Sequence, residues 1–504
     1  MTNLEKWKEL SAILDESEAY GRAIGKMQFD MECCASEEGI DQAGADMAVL
    51  GRHVYELTHS ERYQQLLCEL YDDGEGLSHV QKKAIEHLHD SWLRTKNISS
   101  ELSYEMDLAA NKAYGDWLQA KKAADFSLFR DAFAANIDYC RQSIALRDRR
   151  YPTPYAACLD DFEKGGSEEQ LDAFFAALKA RIVPLIARIR AEGKPIRTDF
   201  LSRPVPIPQQ EAMSRYLLEL EGLRRSALVL MTTEHPFTDH YGPHDVRVTT
   251  HYYENNFISN VFSTLHEGGH ALFMQNEPES YYTDHAADNM TSAMHECISR
   301  FYENIIGRSE AFLSFVAPTL RAYSGDTFAD VSDRELYEAV NVAEPGLIRM
   351  EADELTYCLH IMVRYELEKA FVNGEITVDE VPALWKEKYR AYLGVDVPDD
   401  ARGCLQDVHW TGGAGAYGYF PSYALGNAYG AQILRTMQKD FDVYAAVRAG
   451  ELTKIRDWLS EHVFSIASLT TPDEWIRAIT GEGLNVNYYL DYLEEKFTRL
   501  YALP

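Results

Sequence analysis

The stretch that decides the fold reads S-N-V-F-S-T-L-H-E-G-G-H-A-L-F-M and spans residues 259–274. Apolar side chains recur at helical spacing along it, at Ile258, Val261, Leu265 and Leu272. A second row is polar and consists of Ser259, Ser263, His266 and His270. Residues three and four apart share one face of an α-helix, so we predict a helix with an apolar back and two imidazoles at its front.

The two imidazoles form the pattern His-Glu-x-x-His, which predicts a catalytic metal site. His266 and His270 lie one helical turn apart, a spacing that lets both close on one ion, usually zinc. Glu267 projects to the same side, within reach of water at the metal. The alternative is a half-buried helix whose histidines are only packed and hydrogen-bonded. Gly268 and Gly269 favour the metal site. Each costs about 1 kcal/mol relative to alanine in mid-helix, and that cost makes sense if backbone or ligand must approach closely there.

Composition restricts the partners and the compartment. The chain has 504 residues, 46% of them hydrophobic, and a formal net charge of −31. Such an acidic protein is not expected to bind nucleic acid or an anionic membrane. The N-terminal sequence lacks the apolar stretch of a signal peptide, and no apolar run is long enough to span a bilayer. Eight cysteines without a CxxC pair fit reduced thiols, so we expect a cytoplasmic enzyme.

The rest of the chain predicts a mainly α fold. We expect one domain over 1–504, with a helical N-terminal part (1–230), a catalytic core with all motifs (231–430) and C-terminal helices (431–504). β-branched alternation over residues 245–253 predicts a strand of a small sheet, which leads almost directly into the metal helix. Its edge would hold an extended peptide, or form a plain structural hairpin. The glycine pattern at 413–418 lacks a preceding strand, so no dinucleotide cofactor is expected.

A catalytic zinc needs a third protein ligand and keeps a fourth position for water. Residues 292–306 predict another helix, stopped by Gly307, with a polar row at Ser292, Glu296, Ser299 and Glu303. A carboxylate on a second helix downstream of the histidine pair would complete the site. Glu296 is the first candidate for this ligand and Glu303 the second.

Six motifs in order resemble one family, the metallocarboxypeptidases typified by thermostable carboxypeptidase Taq. They are H-P-F at 235–237, D-V-R-V-T at 245–249, H-E-G-G-H at 266–270, H-E-C-I-S-R at 295–300, I-R-M-E-A-D at 348–353 and G-C-L-Q-D-V-H-W at 403–410. The resemblance assigns the third ligand to Glu296. Cys297 departs from the small polar residue expected at its position.

The resemblance implies a helical fold around a deep groove, with a small sheet near the metal. It also implies a zinc-dependent carboxypeptidase, usually a homodimer, that removes C-terminal residues from peptides with broad preference. Co²⁺ or Mn²⁺ would be possible substitutes for Zn²⁺. Two other functions stay open: an endo-acting zinc oligopeptidase and a non-catalytic zinc or peptide-binding protein. Glu267 argues against the last, because a structural zinc site needs no base and normally has four protein ligands.

Chemistry assigns roles to the remaining polar residues. Glu267 is the expected base, which takes a proton from water activated by the metal and delivers it to the leaving amine. Tyr423 or His409 would stabilise the developing oxyanion near the metal and contact substrate, unless these residues only pack in the pocket wall. His235 would line the pocket or support a metal ligand.

A free C-terminal carboxylate is best bound by a guanidinium group. A helix predicted from Pro345 to about residue 372 would place Arg349 and Asp353 on one turn, so that Asp353 holds the Arg349 fork in place. Arg349 is therefore the expected carboxylate-binding residue. Arg247 and Arg300 are alternatives, for which a structural ion pair is the favoured interpretation.

Overall fold

The computed structural model describes the backbone of residues 1–504 and every side chain except those of Glu37, Asp41 and Asp326. The helices before the sheet are α1 (Asn3–Cys33), α2 (Ile40–Thr58), α3 (Glu61–Asp72), α4 (His79–Thr95), α5 (Ser100–Ala123), α6 (Ser127–Ala145), α7 (Pro154–Phe162), α8 (Glu168–Glu192) and α9 (Ile207–Glu221). Most begin where the sequence places a hydroxyl that accepts the first free backbone N–H groups, as at Thr2, Ser60, Ser78, Ser99, Thr153 and Ser167.

Three short strands interrupt the helices: β1 (Leu228–Thr232), β2 (Thr238–His240) and β3 (Val246–Thr250). Strand β3 is central, parallel to β1 and antiparallel to β2. The strand predicted at 245–253 is therefore present, although it ends earlier than predicted. Thr250 at its end donates to Asn260 of the following helix, 3.1 Å away, so the sheet is fixed against the helix that carries the histidine pair.

The helices after the sheet complete the fold. They are α10 (Phe257–Asn276), α11 (Glu279–Thr283), α12 (Ser292–Arg300), α13 (Glu310–Ser324), α14 (Asp333–Val340), α15 (Tyr357–Asn373), α16 (Val381–Tyr392), α17 (Phe420–Met437), α18 (Val443–Arg448), α19 (Leu452–Leu459), α20 (Ser465–Ala467), α21 (Pro472–Thr480) and α22 (Asn487–Leu500). The fold is mainly α with one small sheet, as predicted.

Two boundaries differ from the sequence-based expectation. The helix predicted over 292–306 is α-helical only to Arg300 and continues as a π-helical turn, Phe301–Gly307. The helix predicted from Pro345 begins only at Tyr357, and Arg349 lies in a 3₁₀ turn, Arg349–Glu351. Periodicity continued through both segments, but it carries no information on where the helical hydrogen-bond pattern changes.

Apolar side chains form two clusters. The larger is built from α5 onward and surrounds α10, α12, α15 and α17. The smaller joins α1, α3 and α4 to Tyr281 and Ala286. The division of 1–504 into one domain with three parts stays a prediction. In the part of the chain that the structure describes, no helix combines the length and apolarity needed to cross a membrane.

Candidate metal centre

The metal helix α10 owes its position to its apolar row. Asn256 caps it by accepting the Ser259 N–H at 3.3 Å. The predicted apolar residues all lie in the main core: Ile258, Val261, Leu265 and Leu272. With its back buried, the helix presents His266 and His270 together on the side that faces α12.

The paired glycines of α10 are explained by close approach of neighbouring elements. A Cβ on Gly269 would lie 2.7 Å from the Ile298 carbonyl oxygen and 2.7 Å from the Ser299 Cα, both in α12. A Cβ on Gly268 would lie only 1.8 Å from a carboxyl oxygen of the fully buried Glu221. Gly269 therefore allows α10 to pack at backbone distance against the helix that carries Glu296, and Gly268 leaves room for the Glu221 side chain of α9.

Replacing Gly269 with alanine is expected to force α10 and α12 apart. The methyl group meets backbone, which cannot rotate away, so we expect a loss of about 1–3 kcal/mol in the free energy of unfolding and weaker metal binding. Denaturant unfolding and metal content after dialysis measure both effects. Gly115→Ala in α5 is the matched control, because there the methyl meets no described atom within 4 Å; it should be neutral or stabilising by about 0.5–1 kcal/mol. Equal behaviour of the two variants would contradict the packing argument.

Three donor atoms converge between α10 and α12. Glu296 Oε2 lies 3.7 Å from His266 Nε2 and 3.4 Å from His270 Nε2, and donors from these residues all fall within 4.8 Å of one another. A tetrahedral zinc with bonds near 2.0–2.1 Å separates its ligands by roughly 3.4 Å. Both the donor chemistry, two imidazoles and one carboxylate, and the spacing therefore fit a catalytic metal ion.

Charge favours the ligating form of Glu296. Burial alone would raise its pKa, but His266 and Arg300 hold the pKa of this carboxyl well below its usual range. Arg300 Nε donates to Oε1 at 2.7 Å, and the Ser299 hydroxyl donates to Oε2 at 3.1 Å. The carboxylate is thus ionised, with Oε1 held by Arg300 on the side away from the imidazoles and Oε2, which faces them, held by Ser299.

Glu267 lies beside this cluster and is 6% exposed. The Thr238 hydroxyl lies 2.7 Å from Glu267 Oε2 and 3.0 Å from the Glu267 carbonyl oxygen. Strand β2 therefore fixes the rotamer of the expected base. Sequence reasoning missed Thr238, because a three-residue strand has no detectable alternation and the contact crosses 29 residues.

Arg349 belongs to a buried charge cluster next to the metal-binding residues. Asp407 accepts from Arg349 Nε at 2.9 Å through one oxygen and from Arg364 Nε at 2.7 Å through the other. Two guanidinium groups on one carboxylate leave an excess positive charge. Arg349 Nη1 donates to the Tyr357 hydroxyl at 3.1 Å, and the Tyr357 ring lies 4.2 Å from the Arg300 guanidinium. Tyr357 thus separates Arg349 from the ligand network.

The prediction that Asp353 holds the Arg349 guanidinium is wrong. Asp353 does not hold its fork; it caps the start of α15 by accepting the backbone N–H of Leu355 at 2.9 Å and of Thr356 at 3.0 Å. Because residues 349–351 form a 3₁₀ turn, Arg349 and Asp353 are not one α-helical turn apart. Asp407 takes the role that the sequence analysis gave to Asp353.

The two alternative arginines are held in ion pairs. Arg247 Nε is 3.0 Å from Asp245 Oδ1, and its guanidinium lies over the rings of Phe29 and Tyr241. Arg300 lies between the carboxylates of Glu296 and Glu303. Arg349 is also ion-paired, but it shares Asp407 with Arg364, so the positive charge of that cluster is only partly neutralised.

His409 and Tyr423 are brought together as a pair. His409 Nε2 lies 3.3 Å from the Tyr423 hydroxyl, and the Arg349 guanidinium lies 5.0 Å from the Tyr423 ring centre. Burial lowers the pKa of His409 to about 4, so this imidazole is neutral at pH 7. Burial also raises the pKa of Tyr423, which keeps its hydroxyl protonated. Both are uncharged hydrogen-bonding groups. His235, by contrast, is exposed in the turn between β1 and β2, where its backbone bonds to the Thr233 hydroxyl.

The fold is mainly helical with a small sheet. Its site combines a His-Glu-x-x-His helix with a carboxylate from α12, the arrangement of a metallopeptidase of the HExxH class. A family model described as carboxypeptidase Taq (M32) metallopeptidase matches residues 9–497. The chain belongs to this family, so it is a hydrolase that acts on C-terminal peptide bonds of peptides and uses a metal ion.

The similarity to individual relatives extends over nearly their full length. Carboxypeptidase 1 of Bacillus subtilis is 37% identical over 497 residues, which cover 98% of this chain and 99% of the relative. Thermostable carboxypeptidase 1 of Thermus thermophilus is 34% identical, covering 96% of this chain and 97% of the relative. The crystal structure of an M32 carboxypeptidase from Deinococcus radiodurans superposes with a TM-score of 0.95 at 29% identity, over 99% of this chain and 100% of that one.

Proposed function

We propose that this protein is a zinc carboxypeptidase of broad specificity, with His266, His270 and Glu296 as metal ligands and Glu267 as the base. The observation that carries the proposal is the convergence of three donor atoms within 4.8 Å. Beside them lie a carboxylate held by Thr238 and, beyond Tyr357, a buried arginine. A metal site next to a buried cationic cluster suits a substrate whose scissile bond lies close to a free carboxylate.

Bound zinc would polarise the scissile carbonyl and lower the pKa of a water from 15.7 toward roughly 7. The Glu267 carboxylate accepts the proton of the attacking water and then donates it to the leaving nitrogen. The Thr238 hydroxyl keeps this carboxylate oriented toward the cluster while the proton is transferred. Tyr423, with its hydroxyl protonated and directed by His409, donates a hydrogen bond to the developing oxyanion, a role often worth about 3 kcal/mol.

Arg349 binds the C-terminal carboxylate of the peptide. Its Nε edge is occupied by Asp407, and Nη1 faces Tyr357. The Asp407–Arg364 pair orients the guanidinium, and the excess positive charge of the cluster attracts an anion into an otherwise acidic protein. His235 remains a substrate-binding candidate at the surface, and the homodimer and cytoplasmic location remain predictions. Zn²⁺ is preferred over Co²⁺ or Mn²⁺ because imidazole and carboxylate donors near tetrahedral spacing are typical of zinc.

A peptide digest tests the function directly. One peptide with a free C-terminus and the same peptide with an amidated C-terminus are incubated with the zinc-loaded enzyme and followed by mass spectrometry. We expect a ladder of single-residue losses from the free C-terminus, little cleavage of the amide, and no ladder with chelator. Equal cleavage of both peptides at internal bonds would favour an endo-acting oligopeptidase, and binding without cleavage would favour a non-catalytic zinc protein.

A further inference from the structure

One short segment, residues 295–303, surrounds the metal-binding residues with polar contacts. It supplies Glu296 and also His295, Ser299, Arg300 and Glu303, whose side chains contact Glu296 or a histidine of α10. His295 Nδ1 lies 2.5 Å from His270 Nδ1. Every expected ligand therefore has a partner from this one segment.

Glu303 contacts Nδ1 of His266, the ring nitrogen on the side away from Glu296. His266 Nδ1 donates to Glu303 Oε2 at 2.9 Å. A carboxylate can only accept, so this bond holds a proton on His266 Nδ1, and Nε2 is the ring nitrogen that faces Glu296. The second Glu303 oxygen lies 3.6 Å from Arg308, which stabilises the ionised form. Glu303, the second candidate for the third ligand, thus occupies a supporting position.

Arg300 connects the two carboxylates. It donates to Glu296 Oε1 at 2.7 Å and to Glu303 Oε2 at 3.1 Å. These residues lie four before and three after Arg300, so both contacts are helical-neighbour contacts. The result is a chain of three hydrogen bonds, His266–Glu303–Arg300–Glu296, in which each bond restricts the next side chain and whose two ends face each other at 3.7 Å.

The change of helix type supports this arrangement. The α-helix ends at Arg300, and Glu303 lies in the π-helical turn Phe301–Gly307. A Cβ on Gly307 would lie 2.6 Å from Leu265 Cδ1 and 2.8 Å from the Tyr302 carbonyl oxygen, so the turn packs tightly beside His266. Single π-helical turns are energetically poor and occur frequently at functional sites.

We propose that Arg300 and Glu303 are a positioning pair that orients His266 and Glu296 before the metal binds and thereby sets the affinity of the centre. The inference rests on the proposed ligand set and adds that neither residue of the pair is itself a ligand. Partners of this kind raise the affinity of metal sites by about 10–100-fold when present. Their effect should therefore be visible in metal binding without any peptide.

Zinc affinity of the apoprotein, measured by competition with a chromophoric chelator at fixed pH, tests the proposal. We expect affinity to fall about 10-fold in Glu303→Gln and toward 100-fold in Glu303→Ala. One equivalent of zinc should still bind at saturation. Arg300→Met should weaken binding, and Arg300→Lys should restore part of it. Glu310→Gln is the matched control: Glu310 begins α13, pairs with the surface residue Arg334 of α14, and its substitution should leave the affinity unchanged.

Cobalt absorption separates positioning from ligation. With Co²⁺ at saturation, Glu303→Gln should keep the visible bands of the wild type, whereas Glu296→Gln should change them because a ligand is lost. An affinity within twofold of the wild type in both Glu303 variants would overturn the proposal. A cobalt spectrum of Glu303→Gln that matches Glu296→Gln would also overturn it, by making Glu303 a ligand. Zinc affinity and cobalt absorption are both measured without peptide. Failure of the positioning pair can therefore be told apart from failure of the proposed carboxypeptidase function.

Discussion

Replacing Glu267 with glutamine is expected to lower kcat by about 10²–10⁴-fold while leaving the metal content of the protein unchanged. The amide has nearly the shape of the carboxylate and can still accept the Thr238 hydroxyl bond, which is 2.7 Å in the wild type. It cannot take a proton from water near neutral pH. The three proposed ligands are untouched, so the centre should bind zinc as before.

Steady-state kinetics on a free C-terminal peptide, together with metal analysis of the same sample, measure this prediction. Thr238→Val is an informative companion, because it removes the hydroxyl that orients Glu267 but keeps the carboxylate. We expect it to lower kcat by much less than the glutamine variant. Full activity of Glu267→Gln with one bound zinc would require a different base.

Replacing Arg349 with alanine is expected to lower kcat/KM for free C-terminal peptides by roughly a hundredfold or more, corresponding to about 3 kcal/mol for a buried charged contact. The slow cleavage of amidated peptides should change little, because they have no carboxylate to lose. Asp407 stays paired with Arg364 in the variant, at 2.7 Å, so no uncompensated charge is buried and the protein should fold.

The measurement is the ratio of kcat/KM for a free peptide to that for the matched amidated peptide, which should fall in Arg349→Ala. This ratio does not depend on enzyme concentration. Arg247→Ala is the control, since Arg247 pairs with Asp245 and packs on Tyr241. It should leave the ratio unaltered. A ratio preserved in Arg349→Ala would transfer carboxylate recognition to another residue.

The local features of this protein were predictable from sequence. The metal helix follows from spacing alone, since His266 and His270 are four residues apart and an apolar row lies behind them. The cost of adjacent glycines in mid-helix predicted close packing, which Glu221 and the α12 backbone provide. Helical content followed from periodicity, because burial of one face is what stabilises most helices.

Contacts between distant segments were not predictable in the same way. Helical spacing predicts Asp353, four residues away, as the partner of Arg349, whereas the observed partner, Asp407, is 58 residues further on. Glu296 and Glu303 are seven residues apart and share a helical face, so spacing could not tell which one points between the imidazoles. Only the packing of α12 against α10, and the change to a π-helical turn, separates their positions.

The fit of the Glu221 carboxyl against Gly268 has a consequence for laboratory evolution. Burial raises the pKa of Glu221 well above its usual value, so the group stays a neutral acid next to the peptide backbone of α10. Libraries that substitute position 268 alone would return mostly destabilised clones, while simultaneous randomisation of both positions would allow a larger residue at 268 beside a smaller one at 221. Among aligned homologues, we expect these two positions to vary together.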